Sequence, residues 1–320
     1  MIPLQMKMYL LIAALFSIVY MTIVLISTSM GLYNFYFYLG VSIVLMFIQY
    51  MVGPKIIEWT MQLRYIKRED LPKVWDMIED LARKANIPMP RVCVAATDVP
   101  NAFAFGRGKN DGRVCVSAGI MRLLTDEELK AVLGHELTHI KNKDVLTITM
   151  LSVVPMIMYR IAWHFMWYGR RDNRSGGNGF IVGIVAFLFY FITNLLVLYG
   201  SRIREYYADR GSIELGNKPE HLATALFKLV YGTAKYSDSK EMKSIEGMKA
   251  FFINDPSRAL NEIRDLKQLD RDNSGTIDGD ELRLVRNKYV TLSATERMME
   301  VLSTHPNMLK RIKQLSDLKV

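Results

Sequence analysis

The chain of 320 residues is long enough for one large domain or two modest ones, half of its residues are hydrophobic, and its formal net charge is +9. The basic balance does not indicate a nucleic-acid partner, because no basic motif with interleaved aromatic residues accompanies it. Lysines and arginines crowd the ends of long apolar stretches instead, so we expect a lipid bilayer as partner and no nucleic acid. Cys93 and Cys115 provide no disulfide framework and predict buried free thiols.

The N-terminal part of the chain predicts a transmembrane hairpin. Residues 9–29 and 35–52 are uncharged and long enough to cross a bilayer as helices, and only a short turn separates them. A cleaved signal peptide would also explain the first stretch. An anchor explains it better, because no small-residue cleavage site follows.

Residues 55–87 then predict two amphipathic helices, of which the first, IIEWTMQLRYI, suits the surface of a membrane. Three short runs follow with the composition of β-strands, RVCVAATD, NAFAFG and RVCVSAG, and they predict a small sheet. The middle run, Asn101, Ala102, Phe103, Ala104 and Phe105 with Gly106, either pairs with extended substrate backbone as an edge strand or is a plain structural strand.

Residues 124–144 contain the motif HExxH, in His135, Glu136 and His139. On an α-helix residues four apart lie on one face, so both imidazoles reach one tetrahedral Zn²⁺, while the glutamate between them is placed to deprotonate a metal-activated water. Thr125 and Glu128 predict a capping box at the start of this helix. Chance occurrence on an ordinary helix surface is the alternative.

A second transmembrane hairpin is predicted from the apolar stretches 145–167 and 180–200, of which the second is the cleaner. The lysines and arginines that flank the stretches on the side of the HExxH segment favour a cytoplasmic position for the catalytic part of the chain, although Arg170, Arg171 and Arg174 in the opposite loop weaken that orientation. We therefore expect a multi-pass protein of the cell membrane.

Directly after the fourth stretch, Glu205 and Asp209 form an ExxxD pair, one helical turn apart. The glutamate supplies the third ligand that HExxH lacks, and the aspartate is placed to accept the remaining N–H of a ligand histidine. The alternative is an acidic surface pair neutralised by neighbouring arginines. The combination with HExxH favours one Zn²⁺ per chain.

A different kind of metal loop is predicted near the C-terminus, in an insert at about residues 258–290. The segment LDRDNSGTIDGDEL fits the twelve-residue EF-hand template, with Gly275 at position six. The predicted Ca²⁺ ligands are Asp270, Asp272, Ser274, Thr276 through its carbonyl, Asp278 and Glu281. An acidic turn that binds nothing is the alternative. The sequence shows no second loop, so one from another subunit, and hence a homo-oligomer, stays open.

The chain resembles the HtpX-type membrane zinc metalloproteases, which are related to the type I CAAX prenyl proteases. The resemblance rests on four segments and on the two intervening apolar stretches: NAFAFG, TDEELKAVLGHELTHIKNKD, REYYADR and THPNMLKRI. It implies that His135, His139 and Glu205 bind zinc and that Glu136 is the general base. It also implies that His305 and Arg311 lie near the cleft, where either side chain has the chemistry to stabilise an oxyanion, and that Asn142 and Asp144 support or cap the site. A helix-start role is the alternative for His305.

The expected fold is mainly α with a small β-sheet, four transmembrane helices in two hairpins, and a gluzincin-like zinc peptidase domain. Its segments are a first hairpin at 1–54, a first catalytic part at 55–144, a second hairpin at 145–200 and a second catalytic part at 201–320. The expected function is endopeptidase cleavage of unfolded or misfolded membrane proteins in quality control. The alternatives are a CAAX-type prenyl protease and a calcium-responsive membrane scaffold with structural zinc.

Overall fold

The computed structural model describes residues 35–144, 178–236, 259–287 and 294–318, together with residue 14 and scattered positions between 147 and 166. The chain divides into two compact units. The first comprises Met1–Val52 with Leu146–Ser201, and the second, which we call the peptidase unit, comprises Gly53–Val145 with Arg202–Val320. Most of the predicted first span and most of the predicted third span lie outside the described residues.

The described elements are mostly helices, with four short strands near the middle of the chain. In chain order they are α1 (Phe35–Thr60), β1 (Arg64–Tyr65), α2 (Pro72–Ala85), β2 (Arg91–Ala95), β3 (Ala102–Gly106), β4 (Gly112–Ser117), α3 (Ala118–Leu123), α4 (Asp126–Asn142), α5 (Asn178–Glu214), α6 (Pro219–Ala234), α7 (Ala259–Leu266), α8 (Gly279–Asn287), α9 (Ala294–Val301) and α10 (Met308–Asp317). The predicted class, mainly helical with a small sheet, is confirmed.

The four strands form one mixed sheet in the order β1-β2-β4-β3. Strands β2 and β4 are parallel, with Cys93 opposite Cys115, whereas the β1–β2 and β3–β4 pairs are antiparallel. The three runs predicted as strands are confirmed as β2, β3 and β4. Strand β3 occupies an edge of the sheet, yet all five of its residues are buried.

The alternation of small and aromatic residues in β3 explains this burial. Successive side chains of a strand point to opposite faces. Phe103 and Phe105 belong to a small core with Met61 and the two cysteines, whereas Ala102 and Ala104 belong to the large core that contains the helices. The alanines are small enough for α4 to pack closely against this strand, and α4 does so.

Helix α4 is the central element of the peptidase unit. It packs against α2, α6 and the strands β3 and β4, and most of its residues after the first turn are buried. A helix surrounded in this way has little exposed surface, which is why its polar motif residues must find partners inside the protein.

The charged end of α5 approaches α4 at two glycines. A Cβ atom on Gly211 would lie 2.3 Å from Thr138 Cγ2, and one on Gly134 would lie 2.4 Å from Asn217 Nδ2. Ser212 Oγ donates a hydrogen bond of 2.6 Å to the Ala131 carbonyl at the same contact. The two helices are therefore closer than side chains at these glycines would permit.

Two predictions about the region before the sheet need correction. Helix α1 continues through Pro54 to Thr60, so the segment IIEWTMQLRYI is not a separate surface helix. Its last residues form β1, a strand that the sequence pattern did not reveal because it is only two residues long. Arg64 and Tyr65 form hydrogen bonds with β2, and this pairing favours a strand although the sequence pattern favours a helix.

Four membrane spans are not established. Within the described part of the chain, only the segment Phe180–Glu214 of α5 is long and apolar enough to cross a bilayer. Its apolar residues are exposed over many turns, including Ile184, Leu188 and Phe191.

We expect Gly211→Ala to lower the free energy of unfolding by about 1–3 kcal/mol, because the added methyl group overpacks the α4–α5 contact. Thr138 cannot move aside easily, since its hydroxyl donates to the Gly134 carbonyl. The matched control is Gly53→Ala, another helical glycine, with no atom within 4 Å of the new Cβ. Thermal unfolding of both variants tests this, and an equal or smaller effect at Gly211 would contradict the packing argument.

Candidate metal centre

The two ends of α4 determine where its motif residues lie. The predicted capping box is confirmed: Thr125 Oγ1 accepts the Glu128 N–H at 3.3 Å, and the Glu128 carboxylate accepts the Thr125 N–H at 3.0 Å. At the other end, Lys143 adopts a left-handed conformation with φ 58°. This turn ends the helix and directs Asp144 back towards His139.

Three side chains from α4 and α5 converge in the peptidase unit. His135 Nε2 and His139 Nε2 are 3.1 Å apart, and each lies 3.5 Å from an oxygen of Glu205. A tetrahedral Zn²⁺ with bonds of about 2.0–2.2 Å separates its ligand atoms by roughly 3.3–3.6 Å. These three groups therefore have the spacing that one zinc ion requires, and they can hold one.

The ring nitrogens that face away from this point are both bound to carboxylates. His135 Nδ1 lies 2.9 Å from Asp209 Oδ1, and His139 Nδ1 lies 2.7 Å from Asp144 Oδ2. Such bonds fix the tautomer and the orientation of an imidazole, and they leave Nε2 with a lone pair for a metal.

The buried charges around the three groups also fit a divalent cation. Four carboxylates against two guanidinium groups leave two negative charges when all are ionised. The residues are Glu136, Asp144, Glu205 and Asp209 on one side and Arg204 and Arg311 on the other, each at most 7% exposed. Uncompensated buried charge is costly, so a cation of charge two between neutral imidazoles would balance the centre.

The pKa of His135 reflects the same imbalance. Burial alone lowers this pKa, but hydrogen bonds to Asp209 and Glu205 outweigh burial and raise it to about 10. The carboxylates thus hold a proton on the imidazole when nothing else supplies positive charge. Binding of a metal ion has to displace that proton, because only the neutral imidazole is a ligand.

Arg311 joins α10 to this centre and is fully buried. Its guanidinium donates to both oxygens of Asp209, from Nε at 2.8 Å and from Nη2 at 2.6 Å, and its Nη1 lies 3.4 Å from Glu205 Oε2. A fork of this kind matches the planar carboxylate and fixes its position. Arg311 therefore holds the carboxylate that orients His135.

Glu136 lies next to the ligands on α4 and is held from the sheet. Its Oε2 accepts the backbone N–H of Ala104 at 2.7 Å, and its side chain is buried. Burial raises the pKa of Glu136 above its usual value, while the neighbouring histidines oppose the rise. A carboxylate with a raised pKa is better suited to accept a proton and release it again.

His305 also approaches Glu205. Its Nδ1 is 3.4 Å from Glu205 Oε2, and within the described residues neither ring nitrogen has a hydrogen-bond partner. Its backbone N–H donates to Ser303 Oγ. A helix-start role does not account for it, because α10 begins at Met308 and is capped by the Asn307 side chain.

Asn142 and Arg204 differ from what the sequence predicts for them. Asn142 is exposed at the last residue of α4, and the described residues include no side-chain hydrogen bond for it. Arg204, in contrast, is one of the arginines interpreted above as membrane-flanking charges and, in the alternative reading, as partners that neutralise the acidic pair. It is buried, and its Nη1 donates to the Asp144 carbonyl at 2.6 Å. Its position one residue before Glu205 is the only sequence signal for this role.

The acidic loop forms a separate cluster. Carboxylate oxygens of Asp270, Asp272 and Glu281 lie within 4.8 Å of one another. Gly275 has φ +79°, the left-handed conformation that a sharp turn at position six requires. Helices α7 and α8 flank the loop.

Comparison with known proteins agrees with this geometry. The model of the family "Peptidase family M48" matches residues 69–319, most of the chain. The chain belongs to peptidase family M48. It is a metalloprotease, and the prediction of a zinc peptidase is confirmed at that level.

Two relatives of this M48 chain extend the comparison. "Protease HtpX homolog" of Methanothermobacter thermautotrophicus is 45% identical over 227 residues, which cover 71% of this chain and 86% of the relative. "Protease HtpX homolog 2" of Methanosarcina acetivorans is 32% identical over 275 residues, which cover 85% of this chain and 81% of the relative. The predicted resemblance to HtpX-type proteins is confirmed.

Among solved structures, the chain is similar to Ste24p of S. mikatae, with a TM-score of 0.48 and 15% sequence identity. The match covers 93% of this chain but 62% of Ste24p, so the chain spans less than two thirds of that protein. A similarity of this size does not establish a common fold.

We expect Arg311→Met to destabilise the peptidase unit by about 3–5 kcal/mol, because it leaves the buried Asp209 carboxylate without its partner. The double variant Arg311→Met with Asp209→Leu removes both charges and should recover most of that loss. Chemical unfolding of the two single variants and the double variant measures this coupling. Additive effects would show that the pair contributes nothing beyond its separate side chains.

Proposed function

We propose that this chain is an integral membrane zinc endopeptidase of the HtpX type that cleaves unfolded or misfolded membrane proteins from the cytoplasmic side. The convergence of His135, His139 and Glu205, with Glu136 as the residue beside them, is the observation that carries the proposal. Membership of family M48 and the HtpX-type relatives support the peptidase activity and the zinc requirement.

In this proposal His135, His139 and Glu205 hold one Zn²⁺ per chain, and Asp209 and Asp144 orient the two imidazoles. Zinc supplies a Lewis acid that polarises the scissile carbonyl and lowers the pKa of water. Glu136 accepts the proton of the attacking water and passes it to the leaving amine. The Ala104 N–H keeps the Glu136 carboxylate in one orientation while it does so.

His305 is proposed to stabilise the oxyanion that forms on the scissile carbonyl. Its ring is buried, with Nδ1 3.4 Å from Glu205 Oε2, and within the described residues neither ring nitrogen has a hydrogen-bond partner. An imidazole there can donate to developing negative charge. Arg311 is proposed as a positioning residue, because its donors face Asp209 and Glu205. A direct role of Arg311 in stabilising the oxyanion stays a prediction.

The open edge of β3 is proposed to bind the substrate backbone. In an antiparallel strand the N–H and C=O of one residue point the same way. The Ala104 N–H points to Glu136 and not to β4, so the Ala104 carbonyl also points away from β4, towards the free edge of the strand. The backbone of Ala102, two residues earlier, points the same way. An extended substrate would add as a strand there. The buried side chains of Phe103 and Phe105 contribute to the core, and Asn101 fixes the start of the strand through Ser117.

More than one membrane span and a cytoplasmic peptidase unit remain part of the proposal. The exposed apolar residues of α5 support a lipid environment for that helix, and the positive charges at its end support the orientation. A scaffold with structural zinc is not favoured, because such sites use four protein ligands and three converge among the described residues. A CAAX-type specificity is not favoured either.

We expect Glu136→Gln to retain one zinc per chain but to lose at least about 100-fold in cleavage rate, because an amide cannot accept the proton. The substitution conserves shape. The matched control is Glu127→Gln, on the exposed first turn of the same helix. Cleavage of casein by detergent-purified protein, with zinc measured by mass spectrometry, tests the proposal. Equal rates for the two variants would contradict it.

Calcium binding by the acidic loop is the second part of the proposal. Support comes from the way the loop is held: Ile277 N–H and C=O both bond to the Thr224 hydroxyl on α6, at 3.0 and 2.9 Å. The loop is thus fixed to the peptidase unit through position eight. Because these backbone groups are already paired, the proposal does not need a second loop from another subunit.

We expect Glu281→Gln to weaken calcium binding by at least about tenfold, because position twelve supplies two oxygens to the ion. Asp280→Asn is the matched control, since its side chain is exposed and pairs with Arg283. Isothermal titration of zinc-loaded protein with Ca²⁺ measures both. If the wild-type protein takes up no calcium at millimolar concentration, the loop is a structural turn.

A further inference from the structure

The C-terminal turn of helix α9 buries a glutamate and exposes apolar side chains. Glu300 is 7% exposed, whereas four neighbouring apolar residues, Met298, Met299, Val301 and Leu302, are exposed by 67%, 46%, 45% and 50%. We call these four residues the α9 patch. A surface helix in water normally buries its apolar side chains and exposes its charges. An exposed cluster of large apolar residues indicates contact with an apolar surface.

The buried glutamate fixes this orientation. Glu300 Oε1 accepts the Asn307 N–H at 3.3 Å, and its Oε2 forms an ion pair with Lys310 on α10. Rotating α9 to bury the α9 patch would break both contacts and move the carboxylate away from its partners. The exposure of the patch is therefore a consequence of specific bonds.

The end of α9 is also bound to the segment that leaves the apolar part of α5. Arg202 is the first charged residue after the uncharged stretch 180–201. Its Nη1 donates to the Val301 carbonyl at 2.9 Å and to the Ser303 carbonyl at 2.8 Å. A helix that crosses a bilayer has its first basic residue at the level of the lipid headgroups. Val301 and Leu302 are therefore held at that level.

We propose that the α9 patch inserts into the interfacial region of the lipid bilayer and attaches the peptidase unit to the membrane surface. The continuity with the end of α5 selects lipid over a protein partner. Apolar side chains beside basic residues are the composition that binds at the boundary between headgroups and acyl chains. This inference goes beyond the proposed function, and its test does not use proteolysis.

The consequence for the candidate metal centre is direct. The segment that carries His305 follows the patch directly. The His305 N–H donates to Ser303 Oγ, and the Ser303 carbonyl accepts a hydrogen bond from Arg202. A lipid contact at α9 thus fixes the segment that reaches Glu205. A peptide that leaves the bilayer would meet the centre at the membrane surface.

The test uses nitroxide labels on the full-length protein in lipid nanodiscs. Met298→Cys and Leu302→Cys each introduce one reactive thiol, because Cys93 and Cys115 are buried. The control is Lys73→Cys. In the unmutated protein the Lys73 ammonium donates to Asp126, the first residue of α4. Asp126 lies about 24 Å along the helix axis from Asn142 at the other end of α4, given the helical rise per residue. Unmutated protein treated with the label gives the background.

Power saturation compares the accessibility of each label to oxygen, which partitions into lipid, and to a water-soluble nickel chelate. We expect oxygen accessibility to exceed nickel accessibility at positions 298 and 302, and the reverse at 73. Nickel accessibility at 298 and 302 equal to that at 73 would overturn the proposal. Low accessibility to both reagents would also overturn it in favour of a protein cover, and dipolar broadening of the spectra would then identify a second copy of the chain.

Discussion

The bidentate pair between Arg311 and Asp209 is the interaction on which the metal centre depends. It joins residues 102 positions apart in the chain, and both side chains are buried. Asp209 in turn binds the ring of His135, so the orientation of a metal ligand is determined by a residue of the last helix. A buried carboxylate and a buried guanidinium are each unfavourable alone, which makes the three helices α4, α5 and α10 dependent on one another.

A second constraint links the proposed general base to the proposed substrate strand. One backbone N–H of β3 holds Glu136, and the same edge of the strand offers carbonyl groups to an extended peptide. In the proposed mechanism the base and the substrate are therefore aligned by one element, and a shift of β3 would displace both. The alternation of alanine and phenylalanine makes such a shift unfavourable, because it would exchange the buried faces of the strand.

The elements that were predictable from sequence are those with a short repeat. The spacing of His135 and His139, and that of Glu205 and Asp209, follows from the helical period, and the capping box is confirmed at Thr125. Contacts between distant segments have no such periodic signal. The Ala104 amide on Glu136, the burial of Arg204 and the partners of Arg311 depend on how the helices pack. Strand β1 was missed because two residues are too few to show an alternating pattern.

The order of these residues along the chain has a consequence for biosynthesis. His135 and Arg311 are 176 residues apart, and the apolar stretch that precedes Glu205 lies between them. At about 5–20 residues per second, roughly 9–35 s separate the synthesis of HExxH from that of the residue that completes the centre. During this interval the nascent chain lacks Glu205 or its supporting arginine. The order of synthesis thus acts as a form of latency, which a protease otherwise obtains from a removable propeptide.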